Sequence, residues 1–213
     1  MPRRNIQFIT GVIYHVYNRG VEKREIVSDP HDELRFLRSL NLFNTTESIG
    51  SIFEYDVYMN SEKKQRFESS SPKLVEIVAF NLLDNHYHLV LKQLVDGGIS
   101  KFMHSFGTGY AKYYNDKYDR VGSLFQGVFK ASVPHDEYKL EQIIAYVNLN
   151  HVIHEFGRPA SKWGIRGSWG QYTGMNPGVV EIVKWEKFNK NKSVEIVNKI
   201  KKERNEMTFD EFE

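Results

Sequence analysis

Leu74-Val75-Glu76-Ile77-Val78-Ala79-Phe80-Asn81-Leu82-Leu83, then Asp84-Asn85, then His86-Tyr87-His88-Leu89-Val90-Leu91-Lys92 is the stretch on which the fold turns. Two runs rich in β-branched and apolar residues, separated by two turn-forming residues, predict strands over 74–83 and 86–92 joined as a hairpin. Side chains alternate along a strand. Tyr87, Leu89 and Leu91 therefore share one side and face a core, while His86 and His88 project from the other.

Upstream, Val12-Ile13-Tyr14-His15-Val16-Tyr17-Asn18 is β-branched and aromatic and ends at Arg19-Gly20, which predicts another strand. Asp29-Pro30 opens a helix whose apolar face carries Leu34, Phe36, Leu37 and Leu40 and which runs to about residue 43. Residues 52–58 read as a strand and the polar segment 61–72 as an exposed loop. Downstream, Asp96-Gly97-Gly98 breaks the chain and Ser100 is placed to cap a helix. Its stripe is Ile99, Phe102, Met103, Phe106, Tyr110, Tyr113 and Tyr114. Residues 120–134 read as a loop with a short extended piece. Asp136 caps a helix over 137–150, an irregular stretch follows Gly157-Arg158-Pro159, and a last helix covers 190–204. Strands and helices do not alternate strictly. The order favours an α+β fold, an antiparallel sheet with helices packed on one face.

Composition limits the chemistry. The 213 residues are 40% hydrophobic, enough for a real core, and include no cysteine. Disulfides, thiolate metal sites and cysteine nucleophiles are excluded. No apolar run is long enough for a transmembrane helix and no signal peptide is evident, so no membrane partner and a cytoplasmic, nucleoid-associated location are expected. The net charge is only +2, but residues 184–204 hold eight Lys or Arg against three Glu, and the last eight residues are acidic. Such a run is either a solvated helix or a basic surface.

Two local features could carry a reaction. A His-x-His on a strand can present two imidazoles to one divalent ion, or be two histidines on a half-wet strand. On the helix 137–150, Gln142, Tyr146 and Asn150 succeed one another at one-turn spacing along one edge. Alone, that edge is an ordinary rim of a packed helix. Together, two imidazoles and an amide oxygen make a neutral ligand set that leaves room for phosphate oxygens, suiting Mg²⁺ or Mn²⁺. A phenol beside such a site could attack a phosphodiester and conserve its energy in a covalent protein–DNA ester.

In chain order, Tyr14-His15-Val16 with Asn18-Arg19-Gly20, Asp84 to Leu91, Gly122-Ser123-Leu124-Phe125-Gln126-Gly127-Val128-Phe129-Lys130, and Tyr146-Val147-Asn148-Leu149-Asn150 resemble the single-tyrosine HUH transposases. Among these the REP-associated tyrosine transposases are most similar. The resemblance spans roughly residues 11–175, which defines an expected nuclease domain over 1–175 and a basic helical extension with an acidic tail over 176–213. The family's last block ends Asn-Pro, whereas here it is Asn150-His151. Ser168-Trp169-Gly170-Gln171-Tyr172 matches the family's Trp-Ser-Ser-Tyr only loosely.

The resemblance implies a ferredoxin-like or RRM-like antiparallel sheet with His86 and His88 on a central strand holding the metal. Asn150 would be the third ligand and Tyr146 the nucleophile, forming a 5′-phosphotyrosine with single-stranded DNA beside a hairpin. Arg19, Arg24 and Lys130 are candidates for phosphate contacts, and the 184–204 run could grip a stem, cover the site or mediate self-association as a homodimer. Phe125, Phe129, Tyr113 and Tyr114 are candidates for base stacking, with core packing the ordinary alternative. Asn85, Gln126 and Gln142 complete the candidate DNA contacts. Two other readings stand beside the enzyme: a host-retained hairpin-binding protein with little cleavage, and an RRM-like RNA binder with incidental histidines.

Overall fold

The structure is a computed structural model that describes residues 6–61, 71–153 and 166–206. Most of the loop expected over 61–72, the Gly157-Arg158-Pro159 break and most of the acidic tail lie outside those residues. Four strands, β1 (Ile13–Arg19), β2 (Val75–Leu82), β3 (His86–Gln93) and β4 (Lys130–Ser132), form one sheet in the order β2-β3-β1-β4, every neighbour antiparallel. α1 (Pro30–Leu42) follows β1 and α3 (Gly98–Lys117) joins β3 to β4, giving the β-α-β-β-α-β course of a ferredoxin-like fold. The expected hairpin is present, with Leu83 N–H donating to the His86 carbonyl at 2.9 Å.

The expectation of helices on one face is corrected. α1 and α3 do cover one side, where Phe36, Leu37, Phe102 and Phe106 pack on Tyr14, Val16, Tyr87, Leu89 and Leu91. Burial of each such side chain is worth about 1.5–3 kcal/mol. The opposite side is also covered in part: α4 (Glu137–Asn148) lays Ile144 and Val147 on Val78, Ala79 and Val90. The physical reason is that the β3 alternation is incomplete on its second face. His86 and His88 are followed by Val90, which needs cover.

Residues 52–58 are not a strand. Ser51 and Glu54 form a reciprocal capping box, and α2 (Ile52–Met59) results. α3 starts earlier than Ser100: Gly97 adopts a left-handed φ of 65°, and the buried Gln93 side chain accepts from the Ile99 N–H at 3.1 Å. Asp136 caps α4 as expected, accepting from the Lys139 N–H at 2.6 Å. That helix ends at Asn148, however. Leu149 (φ −112°, ψ 16°) breaks it, and a short α5 (Asn150–Ile153) follows. Residues 166–168 then run along the outer edge of β2, with Leu82 N–H donating to the Arg166 carbonyl and Ser168 N–H to the Phe80 carbonyl. α6 (Trp169–Thr173) comes next.

α7 (Lys190–Glu206) stacks behind α4. Val197 is buried with Ala145, Leu149 and Ile153, and Lys192 pairs with Glu141 on the tyrosine-bearing helix. Among the described residues no helix is long and apolar enough to cross a membrane.

Candidate active site

Strand register fixes what surrounds the histidines. His86 faces Arg19 on β1, and His88 faces Tyr17, which in turn faces Lys130 on β4. On the other flank His88 faces Asn81 of β2. One row beyond, His15 lies opposite Val90. Antiparallel partners project from the same side of a sheet, so His15, Tyr17, Arg19, His86, His88 and Lys130 share one face. α4 covers the Val90 end of that face and brings Tyr146 to its rim. The Tyr146 and His88 rings meet edge to face, centroids 5.4 Å apart.

The imidazoles are held from outside. His88 is 7% exposed, and its Nδ1 lies 2.9 Å from His15 Nε2. Burial first, and the Lys139 charge second, push the His15 pKa down to about 4, so this ring is neutral near pH 7. His86 Nδ1 lies 2.7 Å from Asn85 Oδ1, while Asn85 Nδ2 donates to the Lys23 carbonyl at 3.1 Å. A carbonyl only accepts, so the Asn85 amide nitrogen must face Lys23 and its oxygen must accept from His86 Nδ1–H. The lone pair of His86 is then on Nε2. The His86 and His88 ring centroids are 5.2 Å apart.

Asn150 opens α5, across the Leu149 break from Tyr146. It is wholly buried, and neither its amide oxygen nor its nitrogen finds a hydrogen-bond partner among the described residues. A buried amide in that state costs about 1–3 kcal/mol unless a ligand repays it. Asn148 is anchored instead, its oxygen accepting from Ser168 Oγ at 2.6 Å, which ties the end of α4 to the β2 edge. By donor type, two imidazoles and an amide oxygen suit a hard, partly hydrated divalent ion; among the described residues no three His, Asp or Glu side chains cluster to hold one.

The other candidates separate. Arg19 stands beside His86, and the exposed Lys130 puts Nζ 5.9 Å from the Tyr17 ring centre, so both cations flank the open half of the face. Gln126 is exposed next to them, its backbone N–H bonded to the Arg19 carbonyl. Gln142 is half-buried on α4, one turn before Tyr146. Arg24 turns away, bonded to Glu22 at 2.9 Å and to the Val21 carbonyl.

Asn85 is occupied in holding His86. Phe125 is 8% exposed and packs edge-on against Tyr87 on the opposite side of the sheet, and Phe129 stacks on Phe8. Tyr113 and Tyr114 are bonded to Asp32 and Ser28. Tyr113 and Tyr114 belong to the α3 stripe that faces α1 and the core, and Phe125 and Phe129 pack with Tyr87 and Phe8 on that same side of the sheet, away from the histidines. His15, part of the first motif block, is the site neighbour to which motif reading gave no role. Only β1–β3 pairing shows it, since 73 residues separate it from His88.

Residues 51–150 match the family model described as Transposase IS200 like. Three of the four motif blocks, those at 84–91, 122–130 and 146–150, lie within that match. This IS200-like segment runs from α2 to the first residue of α5 and includes His86, His88, Tyr146 and Asn150. No curated protein matches the chain. A solved structure of a REP-associated tyrosine transposase bound to a REP hairpin is similar in fold. It is 13% identical with a TM-score of 0.50, over 89% of this chain and 98% of that one.

Proposed function

We propose that this chain is an IS200-like transposase that cuts and rejoins single-stranded DNA beside hairpins through a covalent 5′-phosphotyrosine on Tyr146, with Mg²⁺ or Mn²⁺ held by His86, His88 and Asn150. The observation that carries the reading is the edge-to-face meeting of Tyr146 and His88, 5.4 Å between ring centres, at the border between the covered and open halves of one sheet face. A bound ion would polarise the scissile phosphate and stabilise the charge that develops on it. Tyr146 would supply the attacking oxygen. Its Oη–P bond forms as the bond from phosphorus to the 3′-oxygen breaks, leaving a 5′-phosphotyrosine and a free 3′-hydroxyl.

A phenol of ordinary pKa about 10 gives up its proton with difficulty at neutral pH, and developing phosphate charge lowers that demand. Arg19 beside His86 and Lys130 above Tyr17 supply cations where the strand would enter. A hairpin stem as the recognised element is supported by the fold likeness to a hairpin-bound protein.

The test is a labelled hairpin oligonucleotide with single-stranded flanks, incubated with Mn²⁺ and resolved on denaturing gels. The wild-type chain gives a covalent adduct and Tyr146→Phe gives none. His86→Ala abolishes cleavage yet keeps most hairpin affinity, since phosphate contacts dominate binding. Tight hairpin binding with no adduct under any divalent ion would support a binding protein instead.

A further inference from the structure

We infer that His15 and Asn85 are positioning residues that fix the ring tautomers of His88 and His86, so that both rings present Nε2 to one divalent ion. The inference rests on the metal reading above and extends it to two side chains outside the ligand set.

The argument is hydrogen-bond bookkeeping. A neutral imidazole has one N–H and one lone pair, and a metal takes the lone pair. For a neutral His86 the Asn85 contact sets the assignment. Asn85 Nδ2 is spent on the Lys23 carbonyl, so Asn85 Oδ1 accepts from His86 Nδ1–H at 2.7 Å. Nε2 of His86 is then the metal-competent nitrogen. For His88 the 2.9 Å contact joins its Nδ1 to Nε2 of His15. If His15 donates, a neutral His88 carries its proton on Nε2 and cannot ligate through it. If His88 donates, Nε2 keeps its lone pair, and His15 holds its own proton on Nδ1. An ion shared with His86 needs the second arrangement, and a site prepared for that ion holds it before the ion arrives.

Packing supports a fixed role. The His15 and His88 rings lie 5.1 Å apart and 19° from parallel, and Tyr17 stacks on both at 5.1 and 5.6 Å. The two outer partners come from different parts of the chain, β1 and the hairpin turn. Their convergence on equivalent nitrogens of the two rings is the feature that marks a prepared pair. Outer partners of this kind typically govern metal affinity by about ten- to a hundred-fold.

The full chain, labelled with ¹⁵N at histidine, tests this without relying on cleavage. In the metal-free protein, His86 and His88 should both show the Nδ1–H tautomer, and His15→Phe should return His88 to the Nε2–H form favoured in solution. Mn²⁺ affinity by calorimetry should fall about ten- to a hundred-fold in His15→Phe and in Asn85→Leu. His15→Gln and Asn85→Asp keep an acceptor oxygen and should recover part of the loss. Pulsed EPR with Cu²⁺ as probe should count two coordinated imidazoles in wild type and in His15→Phe alike.

A third imidazole lost in the variant would make His15 a ligand and overturn its positioning role. So would an Nε2–H tautomer at His88 in the wild type, or unchanged Mn²⁺ affinity in both variants. Wild-type protein that binds neither ion at millimolar concentration would instead sink the metal reading, while the tautomers of the metal-free protein would still decide the outer partners.

Discussion

At the scale of the residue, Asn150 combines two properties that pull against each other. It is fully buried, and its amide is unpartnered among the described residues. A polar group kept there for stability alone is a poor bargain, because desolvation without a hydrogen bond is unfavourable. Asn150→Ala should therefore leave the melting temperature of the metal-free protein unchanged or raise it, while Mn²⁺ affinity falls at least about ten-fold. Calorimetry and a thermal melt on the same sample check both halves, and a large loss of apo stability would assign the amide to structure. The cations sort by their place on the sheet. Arg19 and Lys130 stand on the histidine face, opposite His86 and Tyr17, whereas Arg24 follows the strand and bonds to Glu22 and the Val21 carbonyl. Arg19→Ala and Lys130→Ala should each weaken hairpin binding and lower the salt slope by about 0.7 for a single-stranded contact. Arg24→Ala should leave the slope as it was.

At the scale of the element, α4 carries Tyr146, the proposed nucleophile, and is held at three places. Asp136 caps its start, Ile144 and Val147 pack on the sheet, and α7 lies behind it through Val197 and the Lys192–Glu141 pair. Asp136→Ala should cost about 1 kcal/mol in urea unfolding, the ordinary worth of an N-cap. Adduct yield should fall with it if the first turn helps place Tyr146. Most elements could be read from sequence because their local signals agree: alternation in β3, the Asp29-Pro30 start of α1, the Asp136 cap. Where the reading failed, a stronger local or long-range signal won. Ile52 to Tyr58 has strand-like residues, but the Ser51–Glu54 capping box makes a helix of it. The start of α3 depends on Gln93, a residue of the preceding strand whose side chain reaches the Ile99 N–H. The His86–His88 pair and Tyr146 could be read because each lies in a compact motif. His15 and the occupation of Asn85 could not, since strand register and turn geometry place them.

At the scale of the whole molecule, the sheet separates two kinds of face. One is a core sealed by α1 and α3, and the other is the half-open histidine face. The sealed side ends in a polar network around Asp32, which is wholly buried and accepts from Lys117 at 2.7 Å, Tyr118 at 2.7 Å and Tyr113 at 3.0 Å. Burial alone would lower the Lys117 pKa, but hydrogen bonds to Asp29, Asp32 and the two phenols overcome it and push it up. Burial and the bond to Asp32 push Tyr118 up to about 12. In the unfolded chain these groups titrate near 10.4 and 10. Between about pH 10 and 12 the unfolded state therefore binds fewer protons than the folded one, and stability must fall as pH rises. Urea midpoints measured across that window should drop steadily for the wild type. Tyr118→Phe and Lys117→Met remove one titrating group each, so both should start less stable at pH 7 and lose stability less steeply above pH 10. Because the network sits between α1 and α3, away from Tyr146, Tyr118→Phe should still form the DNA adduct at pH 7. Parallel slopes for variants and wild type would show that the alkaline loss comes from elsewhere in the fold.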